Sequence, residues 1–191
     1  FAAGVSLGGN ALLKWLGESG SGAGAVIGAA AAVSAPLDLR ISGDALALGF
    51  NRVYTRMFLR SMKAKGAAKL ARHAGIFDGA AMRRSRTLRD FDNVVTAPLH
   101  GFRDTDDYWS RASARPLLGG IAVPTLLVNA LDDPFVPPAA LPDRELLPAC
   151  VTAEFPAHGG HVAFVSGAFP GHLDWLPRRV MDYFAGVLRP A

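Results

Sequence analysis

FAAGVSLGGNALLKWL, residues 1–16, is the stretch whose reading decides the fold. Phe1 to Gly9 reads as the end of a strand entering a Gly-rich turn. Asn10 to Leu16 then has helical spacing, with Leu12, Leu13 and Leu16 on one face. Inside the turn lies Gly4-Val5-Ser6-Leu7-Gly8, a G-x-S-x-G pentapeptide between strand and helix, the context in which the pattern marks a nucleophile elbow. The serine of such an elbow sits on a sharp, strained turn, and glycine at the flanking positions, here Gly4 and Gly8, lets strand and helix pass close to it. The following helix points its N-terminus at Ser6, where its dipole favours a developing oxyanion, and the Leu7 N–H is the candidate oxyanion donor. In a chain rich in Ala and Gly the pentapeptide alone can be a mere turn, so the reading depends on partners further along.

Those partners stand at two later strand ends. Val123-Pro-Thr-Leu-Leu-Val-Asn-Ala runs into Leu131-Asp132-Asp133-Pro134, placing a carboxylate at the C-terminal edge of a parallel sheet, where ligands bind in open α/β folds. The shorter run Val151 to Phe155 leads to Ala157-His158-Gly159-Gly160-His161-Val162, a Gly-rich loop offering imidazoles at the same edge. The order Ser, Asp, His is that of α/β hydrolases. Serine needs a histidine to take its proton, and the histidine needs an acid to fix its tautomer and stabilise the imidazolium. Asp133 is favoured as the acid because Pro134 would hold it at a sharp exit from the strand; Asp132 reads as a turn residue capping local N–H groups. His161 is favoured as the base, with His158 supporting or structural. The Gly-Gly between the two histidines is not helical and no third ligand cluster accompanies them, which argues against a zinc site. His73, His100 and His172 have no triad partner in sequence. Trp15, Trp109 and Trp175 read as packing residues and Cys150 as a small buried hydrophobe.

Around these motifs the 191 residues, half of them hydrophobic, suit one domain with a sizeable core. The apolar run Ala23 to Ala35 is expected to be a continuous buried strand ending at Pro36, and Trp175 to Leu188 a C-terminal helix with Leu176, Val180, Tyr183, Phe184 and Val187 inward. No apolar run reaches the roughly 18 residues that span a bilayer. The single cysteine excludes an internal disulfide and fits a reducing compartment. The chain starts at Phe1 with no strand or leader before the turn, so it reads as the C-terminal part of a longer protein.

From about Leu39 to Ala114 the strand rhythm stops and only helical patterns and loops appear. The expected organisation is therefore an α/β core at 1–38 and 115–191, with a helical cap insertion at 39–114 lying over the sheet. Eleven Lys or Arg and one acid, Asp78, fall between Arg52 and Arg89. There Phe50, Val53, Tyr54, Met57 and Phe58 follow i, i+3, i+4, i+7, i+8 spacing, with Arg52, Arg56, Arg60 and Lys63 opposite. Phe50, Val53, Met57 and Phe58 are expected to face inward, Met57 and Phe58 as substrate-binding residues walling an acyl pocket. The basic face reads as solvated, or as attracted to a membrane surface or an anionic substrate. Nucleic acid is disfavoured, since no aromatic platform accompanies the charge.

Taken together, GVSLGGNALLKWLGE, NRVYTRMFLRSMKAK, TLRDFDNVVTAPLHGFRDTDDYWSRAS, VPTLLVNALDDPFVP and HGGHVAFVSG resemble the YheT-like branch of the α/β hydrolases, related to the mammalian abhydrolase esterases and acylglycerol lipases. The resemblance covers nearly the whole chain. It implies an α/β-hydrolase fold and a carboxylic-ester hydrolase with Ser6, Asp133 and His161 as its triad; the leading expectation for the chemistry is an esterase or lipase acting on short- to medium-chain acyl esters. It also implies a helical lid, no cofactor and a bacterial cytoplasmic setting; the residues themselves argue for no metal, and the charge of the cap leaves peripheral membrane contact open. The earlier half of that fold, including the loop supplying the second oxyanion N–H, is absent from this chain. Two alternatives stay open: an acyltransferase on the same fold, which would need an acceptor other than water, and a non-catalytic interaction module.

Overall fold

The computed structural model describes residues 1–189; the last two positions of the expected C-terminal core segment lie outside the described residues. The chain divides into two compact units, one formed by Phe1–Asp38 with Ser113–Ala191 and the other by Leu39–Ala112.

The first unit is built on four parallel strands, β1 (Ala2–Val5), β2 (Ala30–Val33), β3 (Thr125–Val128) and β4 (Val151–Glu154), arranged in that order across the sheet. Their registers run Ala2 to Ala30, Ala30 to Thr125 and Thr125 to Val151. All four therefore end at the same edge. Every residue of β2 and β3 is buried, as parallel strands covered on both faces require. Side chains alternate between two cores. Ala30, Ala32 and Leu127 face Leu13 and Leu16 of helix α1 (Leu7–Ser19), whereas Ala31, Val33, Leu126 and Val128 belong with Phe164 and Phe184. The alanines of β2 leave room for large side chains from the covering elements, such as Leu13 and Leu16 on one face and Phe184 on the other.

The run Ala23 to Ala35 is not one strand. Its first part closes a 3₁₀ turn, Gly20–Ala25, and only Ala30–Val33 enters the sheet. Gly20, Gly22 and Gly24 favour turn over strand by their conformational freedom, and apolarity alone does not separate the two. The C-terminal helix spans Trp175–Leu188 and packs Trp175, Leu176, Val180, Tyr183, Phe184 and Val187 into the second core.

The helical unit comprises α2 (Leu39–Leu46), α3 (Asn51–Arg72), α4 (Gly79–Arg84), α5 (Leu88–Phe91), a π-helical stretch Asp92–Thr96 leading into α6 (Ala97–Leu99), and α7 (Thr105–Ala112). The C-terminal helix is thus α8. Thr87 and Asp90 close a reciprocal capping box at α5, and Asp78 accepts the Ala80 and Ala81 N–H groups at α4. The core is Leu59, Met82, Phe91 and Val95.

One expectation for α3 fails. Phe50, Val53, Met57 and Phe58 are exposed, Phe50 by 74% and Met57 by 63%. The buried residues of α3 are Thr55, Leu59 and Gly66. Thr55 is anchored by its hydroxyl, which donates to the Leu46 carbonyl at 2.6 Å, and Gly66 admits the Met82 sulfur, which a Cβ would meet at 2.4 Å. Polar anchoring and close approach turn a different face inward from the one that hydrophobicity marks.

Among the described residues no helix is long and apolar enough to cross a membrane.

Candidate active site

Ser6 is the hinge between β1 and α1. Its N–H donates to the Val33 carbonyl at 2.8 Å, extending the β1–β2 ladder, and its own carbonyl accepts the Gly9 and Asn10 N–H groups of the first helical turn. Satisfying both elements at one residue forces φ to 53° and ψ to −127°, a region that L-residues avoid and that functional turns hold under strain. A Cβ on Gly4 would lie 2.5 Å from the Gly8 carbonyl oxygen, and one on Gly9 would lie 2.9 Å from the Ala35 Cβ, whereas one on Gly8 would meet nothing. The close-approach glycines are therefore Gly4 and Gly9; the expectation for Gly8 is corrected. Gly8 occupies the outer side of the first helical turn, and the packing requirement falls one residue beyond the pentapeptide.

Beyond β3 the chain turns sharply at Leu131 to Pro134. Asp133 is buried, and its Oδ1 accepts N–H bonds from Phe135 at 2.8 Å and Val136 at 3.3 Å. Val136 is itself fully buried, so this turn is nailed to the core. The other oxygen, Oδ2, lies 2.9 Å from His161 Nδ1, and His161 Nε2 lies 2.9 Å from Ser6 Oγ. An acceptor facing Nδ1 selects the Nδ1–H tautomer, leaving Nε2 as the acceptor for the serine proton. The imidazole also packs on the Phe135 ring, with centroids 4.6 Å apart at 53°.

His161 reaches this position on a loop that Asp132 holds. Beyond the strands proper, Asn129 and Leu131 N–H groups donate to Glu154 and Pro156, so the loops after β3 and β4 stay side by side. Asp132 Oδ1 then accepts the Gly159 N–H at 2.9 Å and the Gly160 N–H at 2.8 Å, while Oδ2 sits 3.2 Å from His158 Nδ1. The Gly160 N–H holds the Asp132 carboxyl below the usual carboxylate range, opposed by desolvation and helped by His158 and the Gly159 N–H. Gly160 is left-handed, φ 57°, which reverses the chain just before His161. His158, 91% exposed at its side chain, pairs with Asp132, and the ring that meets Ser6 is that of His161. Asp132 thus caps N–H groups on a different strand's loop rather than in its own turn.

The structure accordingly brings Ser6, Asp133 and His161 into one hydrogen-bonded row. Leu7 follows Ser6 as the first residue of α1, and the first N–H groups of a helix have no partner within it. Met57 and Phe58 belong to the helical unit and are exposed there. Sequence reasoning missed Phe135 and the bridging role of Asp132; Pro134 with a following apolar pair was the available signal for the first, and the doubled Asp for the second. Among the described residues no three His, Cys, Asp or Glu side chains converge as a metal-binding group.

Comparison with known proteins follows the same lines. The Escherichia coli (strain K12) protein named "Putative esterase YheT" is 39% identical over 189 residues, which are 98% of this chain and 55% of that protein. The chain belongs to the α/β-hydrolase superfamily. Within it, the YheT-like esterases are close relatives. "Phospholipase ABHD3" of Mus musculus is 31% identical over 180 residues, covering 93% of this chain and 43% of that protein. The chain spans about half the length of the curated relatives it matches. No family model matches it. Among solved structures, an esterase from Exiguobacterium antarcticum aligns over 98% of this chain and 66% of its own, with a TM-score of 0.47 and 17% identity.

Proposed function

We propose that this α/β-hydrolase chain carries the nucleophile, base and acid of a serine carboxylesterase that cleaves short- to medium-chain acyl esters through an acyl-enzyme. The observation that carries the reading is the row Ser6 Oγ, His161 Nε2, His161 Nδ1, Asp133 Oδ2, with both gaps at 2.9 Å. The esterase and phospholipase names of the relatives agree with it.

In this mechanism Ser6 Oγ attacks the ester carbonyl carbon as His161 Nε2 takes the serine proton. Asp133 stabilises the imidazolium and keeps the ring from turning. The carbonyl oxygen becomes an oxyanion, met by the Leu7 N–H and the positive end of the α1 dipole. As the tetrahedral intermediate collapses, the C–O bond to the alcohol breaks and His161 returns the proton to the departing alkoxide. Water then enters, gives a proton to His161 and attacks the acyl carbon; the carboxylic acid leaves and Ser6 recovers its proton. The strained φ at Ser6 projects Oγ from the turn, so the nucleophile is presented before substrate arrives.

The test is covalent labelling of the whole protein with a fluorophosphonate, beside hydrolysis of a short p-nitrophenyl ester. Ser6→Ala is expected to abolish both. Undiminished labelling of that variant would place the nucleophile elsewhere and end the proposal. His161→Ala is expected to lower kcat by roughly three orders of magnitude or more, as removal of a triad member does.

A further inference from the structure

The helical unit carries a concavity that ester hydrolysis at Ser6 does not use. It encloses about 490 Å³, and its walls include Arg52, Arg56, Arg60, Lys63 and Arg86, with no acidic residue among the lining side chains. Four of the five cations come from α3 at successive turns; Ser85 and Arg86 come from the segment after α4. Leu59, buried, supplies an apolar floor.

The site has fixed parts. Lys63 Nζ donates to the Arg83 carbonyl at 2.9 Å and to the Ser85 carbonyl at 2.6 Å, which ties the segment after α4 to α3 and holds one ammonium in place. An ammonium has three donors, so one remains. Several other arginines of this unit are paired: Arg40 with Asp106, Arg89 with Asp44 and Asp106, Arg103 with Asp104, Arg111 with Asp107. Arg86 has Asp90 nearby, whose carboxylate accepts the Arg86 backbone N–H at 2.9 Å. Among the described residues, Arg52, Arg56 and Arg60 have no acidic partner. Like charges four residues apart on a helix destabilise it, and here that arrangement recurs along α3 around a hollow instead of being relieved by the unit's aspartates.

Arginines lining one hollow offer forked guanidinium donors that match the oxygens of a phosphate, which Arg binds bidentately, with Lys as a point charge beside it. A carboxylate would satisfy one fork and leave the others facing each other. The volume exceeds a lone phosphate and falls in the range of small-molecule sites. We propose that this concavity binds the phosphate group of a larger phosphate ester, held by Arg52, Arg56, Arg60, Lys63 and Arg86. The proposal is independent of the serine chemistry. The phosphate can arrive on a soluble ester or on an anionic lipid headgroup, and the two sources are separable by experiment.

Inorganic pyrophosphate is titrated into the whole protein by calorimetry in phosphate-free, low-salt buffer. The expected result is saturable binding of one pyrophosphate per chain that weakens with added salt. Arg56→Gln with Arg60→Gln is expected to weaken it about tenfold or more, from the loss of charge-assisted bonds. Arg52→Gln alone moves it in the same direction by less. Arg83→Gln with Arg84→Gln removes the same charge from side chains outside that lining and leaves binding nearly unchanged. No saturable binding, or equal losses in the two double variants, overturns the proposal. A parallel flotation assay uses phosphatidylcholine vesicles with and without phosphatidic acid. Flotation that requires phosphatidic acid and is lost with Arg56 and Arg60 assigns the phosphate to a lipid headgroup; pyrophosphate binding without flotation assigns it to a soluble ester.

Discussion

Removing the Asp132 carboxylate separates the two aspartates of the Asp-Asp-Pro turn by function. The His161 ring is hydrogen-bonded to Asp133 and Ser6, whereas Asp132 Oδ1 accepts the Gly159 and Gly160 N–H groups that open the loop carrying His161. A hydrogen bond to a charged acceptor contributes about 1.5–3 kcal/mol. Its side chain is 42% exposed, and solvent screening brings the figure down to about 1 kcal/mol for each bond. Asp132→Ala therefore shifts the equilibrium between docked and undocked loop by about 2 kcal/mol, roughly thirtyfold. In the whole protein, kcat on a soluble p-nitrophenyl ester is expected to fall by up to about that factor with KM little changed, and the Gly159 and Gly160 amides to exchange with deuterium faster by a similar factor. Asp132→Asn keeps an acceptor oxygen and should recover most of both. Asp133→Asn, which spoils the tautomer, should cost on the order of 10⁴ in kcat while leaving those amides protected. Because the folded Asp132 carboxyl lies below its ordinary value, its contribution is present above that value and is lost as pH falls through the lowered one, so both assays read full effect near neutral pH. Unchanged exchange and unchanged kcat in Asp132→Ala would refute the loop-holding role. A loss in Asp132→Asn as deep as in Asp133→Asn would make Asp132 the acid.

The other expectations concern strain, packing and burial. Ser6→Gly relieves the backbone at φ 53° and should raise stability by about 1–3 kcal/mol in denaturant melts while abolishing ester hydrolysis, whereas Ser6→Ala keeps the strain and gains little. Gly4→Ala places a Cβ 2.5 Å from the Gly8 carbonyl and should cost about 1–3 kcal/mol or more; Gly8→Ala has open space in a helix and should gain about 0.5–1 kcal/mol in the same melts. In the helical unit, burial pushes the Asp92 carboxyl up despite hydrogen bonds from Thr96 and Trp109. A raised folded value means that stability is complete below the ordinary carboxylate value and is lost as pH rises through the raised one. Asp92→Asn, which keeps partners for both neighbours, should remove that loss, so its melting temperature relative to wild type should climb as pH rises above the ordinary carboxylate value of about 4; a constant difference would show that Asp92 does not titrate there.

The active row was legible because each member needs a backbone feature that the sequence must spell locally. A serine on a strained turn needs Gly4, an acid at a sharp strand exit precedes Pro134, and a histidine on a reversing loop follows Gly160. What was illegible depends on partners distant in sequence. Gly9 matters because Ala35 lies against it, Phe135 because the His161 ring comes back to it, and Asp132 because Gly159 and Gly160 do. The same limit explains α3. Its periodicity marks Phe50, Val53, Met57 and Phe58, but the inward face follows from a threonine hydroxyl reaching Leu46, a glycine receiving Met82 and a lysine bound to two carbonyls. The hydroxyl and the ammonium are polar and the glycine has no side chain, so a hydrophobic period cannot report these three anchors, and of the apolar side chains of α3 only Leu59 is fully part of the core. The arginines of α3 consequently flank a hollow instead of standing opposite an apolar core face, and a stripe that reads as an ordinary solvated surface becomes the wall of a basic concavity once Ser85 and Arg86 are brought beside it. Helical charge patterns therefore gain chemical meaning only with the third dimension, whereas elbows and turns carry theirs in the chain.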